Sequence, residues 1–545
     1  MDISKIVKRP KVRSPRSNGE SFVAPCSELG ALVQSNHARL AGPHAAGKGV
    51  CESGIDLAAL RDRARKELIN AAFRFTENYS SPGDRPSPTE KWIFLSGHQP
   101  DLFHPGVWFK SFLLNQLGKA YQSLAVNLVI DNDECTETSI VVPAGSLEKP
   151  FIKKIQFDEG GPSQPFENRR WKSDAAFSGF CAKVKDSLGK VSQYGLVLDR
   201  FWELLSPARQ ATGLVGQSIA QARHELEIEN GVRNVEVPLS HVCRGEAFKR
   251  FLASVLLQAR TVQAVYNDSL QQFRSVYRVR SATHPVPMLR EEEGWREMPF
   301  WIWSNEHPVR SPLYVRSSAN TIELSNLREI RIGLPTERLS ESLAELEFNH
   351  HPAFSIRPRA LMTTLYARVF LADLFVHGIG GAKYDELTDL MIQRFYGIEP
   401  PGFLTATSTH FLPFGESSTD DRELRQVKSE IRERQFHPEQ FVEQVAMECP
   451  GDLAALIDEK RQLLREIPPL GEKRGWHQRI SLVNQKLLEA NLNGLQRAKL
   501  RSTNLEEEKR RREILCSRDY SFILHSPRLL EDLKQISAKA VNNRI

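Results

Sequence analysis

The chain has 545 residues and a mass of 61.9 kDa, with 40% apolar and 26% charged residues and a mean hydropathy of -0.39. That is ordinary globular composition, with room for roughly three or four domains of ~100 to 200 residues, and it excludes a disordered chain, a small disulfide scaffold and a membrane-embedded one. Lys and Arg (73) exceed Asp and Glu (67) by only 6 over the whole length, which argues against a nucleic-acid or membrane polyanion as the general partner. Seven cysteines lie scattered without a CxxC pair, so the sequence offers neither a disulfide framework nor a zinc site and fits a reducing cytoplasm. The basic amino terminus lacks the apolar run of a secretory signal, and no stretch is long and apolar enough to span a bilayer.

Residues 1–50, rich in Ser, Pro, Gly and basic side chains, read as a flexible basic arm. From Leu57 the apolar positions Leu57, Leu60, Ala64, Leu68, Ala71 and Phe75 recur every three or four residues, which predicts an amphipathic helix. Trp92-Ile93-Phe94-Leu95 then predicts a buried strand. A glycine-containing turn, a helix with Val107, Phe109, Phe112, Leu113 and Leu117, and a second strand at Ala125–Ile130 complete a βαβ unit. Such a unit needs a parallel sheet covered by helices, so residues 51–415 read as a Rossmann-like α/β core interrupted by connecting segments over about 160–300. Further strands are expected at Val235–Leu239 and Leu313–Val315, a long helix at Glu246–Tyr277, and a helix through Leu365, Val369, Phe370 and Leu374. The aromatic residues Trp295, Phe300, Trp301 and Trp303 are read as core or as an insertion interface. Residues 416–545 carry narrow apolar stripes on charged helices, the pattern of a helical hairpin or short coiled coil.

The chemistry-bearing residues concentrate at three places. Between the first strand and its helix lie Gly97, His98, Gln99, His104, Gly106 and Lys110. A turn there sits beyond the carboxyl end of a parallel strand, where helix N–H groups and dipole favour an anion, with histidines available for acid-base work and Lys110 as a point charge. The glycines also suit a plain turn. The pattern matches neither GxGxxG nor the phosphate-loop signature. Asp131 and Asp133 follow the second strand directly and suit a ribose hydroxyl, an amine or hydrated Mg²⁺, or simply the capping of the next element. Gly378, Gly380 and Gly381, followed by Lys383 and Tyr384, offer a second backbone cradle, or a ligand-free turn between helices. Cys135 beside the acids lacks an activating base and reads as structural.

These segments resemble the bacillithiol biosynthesis cysteine-adding enzyme family. Gly97, Gln99, Leu102, Gly106 and Lys110 stand at its first motif, Asp131-Asn132-Asp133 at its Asp-His-Asp motif, and Gly378–Gly381 with Ala382 and Tyr384 at its Gly-Pro-Gly-Glu turn. His98, Asn132 and Gly381 depart from the family's glutamine, histidine and glutamate. The resemblance implies a core related to class I aminoacyl-tRNA synthetases and nucleotidyltransferases, and a coiled coil that makes a homodimer. It also implies a ligase adding cysteine to an amino-sugar conjugate. The expected activity is an ATP- or other nucleotide-dependent ligase or transferase acting on a small metabolite, with His98, His104, Lys110, Asp131 and Asp133 at its centre. The alternative is a catalytically altered scaffold that binds a small ligand or a protein. The sequence leaves any metal requirement open.

Overall fold

The computed structural model describes residues 12–25, 29–41, 56–82, 92–189, 195–348, 353–414, 421–442, 452–469 and 472–543. The helix Leu57–Glu77 (α1) starts where the Asp56 carboxylate accepts from the backbone N–H groups of Ala58 and Ala59, as an N-cap should. Its face of Leu60, Ala64, Leu68 and Phe75 is buried, as the apolar spacing predicts.

The central sheet contains Glu20–Ala24 (β1), Ile93–His98 (β2), Leu124–Val129 (β3), Val235–Pro238 (β4), Leu374–His377 (β5) and Phe403–Thr409 (β6). Its strand order is β1-β6-β5-β2-β3-β4; β2 to β6 run parallel, and β1 pairs antiparallel with β6 at the edge. The predicted βαβ unit is present as β2, the helix Pro105–Ala120 (α2) and β3, and β4 also stands where the sequence places a strand. From β2 the chain moves outward through β3 to β4, then returns to the other side of β2 as β5 and β6. The order therefore reverses between β2 and β5, where Leu374, Phe375 and Val376 pair with Phe94, Leu95 and Ser96.

Four expectations change. The arm over 1–50 supplies β1 and the helix Leu29–Ala41, whose Val33 and Asn36 are fully buried; residues 1–11 and 42–50 lie outside the described residues. Leu374 ends no helix: the helix stops at Tyr366, a π-helical turn covers Ala367–Leu371, and Leu374 opens β5. Leu313–Val315 belongs to a second, antiparallel sheet of order Arg331–Pro335, Thr321–Ser325, Ser311–Ser317, Trp295–Ser304, Phe354–Pro358. Phe300 and Trp303 of the aromatic group are buried on one strand of that sheet. The stretch from Glu246 forms two helices, Glu246–Leu257 and Ala259–Tyr277.

Residues group into two compact units: 1–142, 153–412 and 518–545 form one, and 143–152 with 413–517 the other. The second unit holds the charged helices, with Leu424, Val427 and Leu505 in one small apolar cluster and Ile457, Val483 and Leu487 in another. The segment 518–545, by contrast, belongs with the sheet. The Phe522 N–H donates to the Phe103 carbonyl at 2.8 Å, and its ring lies 4.4 Å from that of Trp108.

Candidate functional site

At the end of β2 the Ser96 hydroxyl donates to the Val376 carbonyl at 3.0 Å, tying the two strands that flank the reversal. Gly97 comes so close to β3 that a β-carbon there would stand 3.0 Å from the Leu128 carbonyl oxygen. Lys110 reaches back from α2 and donates through Nζ to the Gly97 carbonyl at 2.7 Å. Burial, and secondarily the Arg223 charge, lower this ammonium to about 8. His98 contacts the Gln99 carbonyl through Nδ1 at 3.2 Å and sets its ring edge-on to Phe103. Burial, with Lys110 adding to it, lowers the imidazole to about 3, so it is neutral at pH 7.

His104 is the N-cap of α2: its Nδ1 accepts from the Gly106 N–H at 3.1 Å. Only the neutral ring with its proton on Nε2 can do this, in keeping with burial and Arg518 lowering the group to about 4. The helix end that the sequence offered to an anion is thus occupied by the chain's own imidazole. Gly106 is hemmed in as well, because a β-carbon there would press on the Ser408 carbonyl oxygen, with Arg518 Nη2 at 2.5 Å and His104 Cε1 at 2.9 Å.

Asp131, at the end of β3, accepts from the Ser240 N–H at 2.9 Å and from its hydroxyl at 2.5 Å, so it secures the start of the helix Leu239–Arg244. Burial, then the nearby Glu167, raise it to about 7. Asn132 donates to the Pro358 carbonyl at 2.8 Å. Asp133 accepts from Gln99 Nε2, from Arg310 Nη1 at 2.9 Å and from the Glu134 N–H at 2.9 Å. The first two rim loops therefore meet, through Gln99 and Asp133. What they enclose is small. The cavity bounded by Ser96, His98, Phe103, Trp108, Lys110 and Arg223 measures about 20 Å³, room for one water. Beneath it, Glu227 accepts from Trp108 Nε1 at 2.6 Å and the Ser111 hydroxyl at 2.7 Å, and pairs with Arg223.

The glycine turn follows β5, which pairs with β2, a neighbourhood the sequence did not reveal. Gly378 and Gly380 have nothing within 4 Å of a would-be β-carbon, whereas one at Gly381 would lie 2.8 Å from His377 Nδ1. His377 Nε2 meets Asp385 Oδ2 at 2.8 Å, and the same oxygen takes Arg368 Nη1 at 2.8 Å. Against the cost of burial, Arg368 and His377 hold Asp385 down at about 2. Lys383 Nζ sits 5.6 Å from the centre of the Tyr384 ring, whose edge meets His284.

Sequence reasoning missed several buried groups. Asp373, between the π-helical turn and β5, takes Arg61 and Arg65, each at 2.8 Å, and the Ile93 N–H at 2.8 Å. Its only signal is an acid inside the apolar run Leu371-Ala372-Asp373-Leu374. Arg357 donates to Glu167 at 2.9 Å and Glu347 at 2.6 Å. At the end of β6 and in the carboxyl-terminal segment, His410 Nε2, His525 Nε2 and the hydroxyls of Ser408 and Ser521 are buried without a hydrogen-bond partner. Burial lowers His410 to about 4 and His525 to about 3.

Among the described residues no group of three or more His, Cys, Asp or Glu side chains is placed to hold a metal ion, and no helix is long and apolar enough to cross a membrane. No protein-family model matches the chain, and no curated protein matches it either.

Proposed function

We propose that this chain is a small-ligand-binding protein on a Rossmann-like core whose rim groups hold the sheet together and do not turn over a substrate. One observation carries the reading: the space beside His98, Lys110 and Arg223 measures about 20 Å³, and Lys110, His104 and Asp131 are each bonded to the protein's own backbone. A space that holds one water admits no reactant within hydrogen-bond reach of Lys110. The Rossmann-like part of the reading is supported by the parallel strands, whose order reverses beside the first of them as in dinucleotide-binding folds.

A second reading is the nucleotide-dependent ligase or transferase implied by the resemblance. It is favoured by the Gln99–Asp133 contact, which joins two motifs of that family at the sheet rim. It requires the 99–104 loop to move off the cavity when a nucleotide enters. Calorimetric titration of the full chain with ATP and ADP, repeated on folded His98→Gln and Lys110→Met proteins, separates the two. The first reading expects any nucleotide affinity to survive both substitutions. Saturable ATP binding that disappears in both overturns it in favour of the second.

A further inference from the structure

The chain between β3 and β4 builds a cleft of about 540 Å³ that none of the three sequence motifs enters. Its walls come from residues 135–139, from Lys153 to Gln156, from the turn at Gly160 and Gly161, and from the helix Asp174–Leu188, which contributes Lys183. That volume is in the range of small-molecule sites, ~300 to 1,000 Å³, and far above the cavity at the sheet rim.

The cleft has a surplus of positive charge. Lys153, Lys154, Lys183 and Arg169 line it against the single carboxylate of Glu137, and Lys154 already pairs with Glu137 at 2.8 Å. Arg169 is the unusual member. It is 2% exposed, its Nη2 donates to the Glu159 carbonyl at 2.7 Å, and its Nε has no partner. Among the described residues no carboxylate stands within 4.0 Å of it; its neighbour Asp158 spends Oδ1 on the backbone N–H groups of Lys172 and Ser173. Asp158 Oδ2 is buried without a partner, so this guanidinium is held by carbonyls alone and forms no ion pair of its own, an arrangement that favours an anion at its open side. Gly161 is part of the same design, since a β-carbon there would lie 2.5 Å from Lys172 Nζ and 3.0 Å from Arg169 Nη1. A glycine lets both cations gather over the backbone. Cys135 also lines the cleft, but burial raises its thiol to about 11, so it offers no thiolate nucleophile at neutral pH.

We infer that this cleft binds a phosphorylated small molecule, with Arg169 and the surrounding lysines neutralising its phosphate. A fixed guanidinium with mobile ammonium groups matches the several oxygens of a phosphate ester better than one carboxylate. The inference rests on the ligand-binding reading above and gives it a place and a ligand class.

Calorimetry on the full chain, with pyrophosphate, glucose 6-phosphate and glucose as probes, tests it. Both phosphate compounds should bind and glucose should not. Affinity should fall about tenfold or more in a Lys153→Ala/Lys183→Ala double variant and drop as salt is raised, since paired charges in an open cleft are screened. Those lysines serve no packing role, so an unchanged melting temperature reports a folded protein, and Arg169→Lys gives an independent second variant. Absence of heat from both phosphate compounds, or equal affinity in the double variant, overturns the inference. A metabolite that stays bound by native mass spectrometry in the double variant removes the cleft yet leaves the ligand-binding reading standing.

Discussion

Single side chains at the sheet rim show how little slack the interior has. Gly106 sits where α2 begins, under the Ser408 carbonyl and the Arg518 guanidinium, so Gly106→Ala forces backbone apart. Overpacking of this kind costs ~1 to 3 kcal/mol, and the urea midpoint of the variant should fall accordingly with the slope unchanged. Asp373 presents the opposite hazard. Removing its charge in Asp373→Asn leaves Arg61 and Arg65 buried without their counter-ion, and breaking such a pair costs ~3 to 5 kcal/mol. Denaturation of that variant at a midpoint equal to the parent's would show that the two guanidiniums find other partners.

Elements depend on the same bonds. The N-cap of α2 is a histidine, a residue outside the usual set of Ser, Thr, Asp and Asn, and it works only as a neutral acceptor. His104→Asn should keep the cap and most of the stability, whereas His104→Ala should lose ~0.5 to 2 kcal/mol; thermal unfolding of the two proteins compares them directly. In the helical unit, Leu487 is fully buried beside Ile457 and Val483. Leu487→Ala leaves a cavity worth ~2 to 5 kcal/mol, read as a lower unfolding midpoint by circular dichroism. Several elements were legible from spacing alone: α1, the β2–α2–β3 unit and β4 follow from apolar periodicity and glycine breaks. β5 was not, because a short, fully buried strand after an apolar helix has no period of its own. β6, Phe403-Leu404-Thr405-Ala406-Thr407-Ser408-Thr409, is buried on both faces despite four hydroxyl side chains, so its polarity hid it. β1 lies in a segment whose composition resembles a tail, and becomes a strand only because β6 offers it a free edge.

At the scale of the whole molecule, pH should be the main lever on stability. His410 and His525 are buried and lowered to about 4 and about 3, and the partly exposed His98, His104 and His241 are lowered to about 3, about 4 and about 4. Unfolded, a histidine takes up its proton near pH 6.5, so the folded state loses ground as pH falls from there toward 4. At pH 5 each fully buried histidine costs about 2 kcal/mol relative to neutral pH, and each partly exposed one less. Asp131, raised to about 7, works in the other direction: protonation below pH 7 removes a buried charge and returns part of the loss. The histidines outnumber it, so the melting temperature should drop steeply between pH 6.5 and pH 4.5. A flat profile across that window would mean that these imidazoles reach water when folded.

The sequence by itself determined what depends on near neighbours: the βαβ unit, the placement of glycines and histidines in its turn, and the charged helices of the second unit. Spacing of apolar residues reports which face of a helix or strand is buried, and that is a local property. Tertiary structure alone decided whether the candidate groups are free to act. Gly106 is closed in by Arg518, Asp131 is taken by Ser240, Asp133 by Arg310, and the cleft gathers cations from Lys153 to Lys183 around Arg169. Those partners arrive from distant parts of the chain, and a donor or acceptor is spent or available only according to what the fold brings within about 3 Å of it.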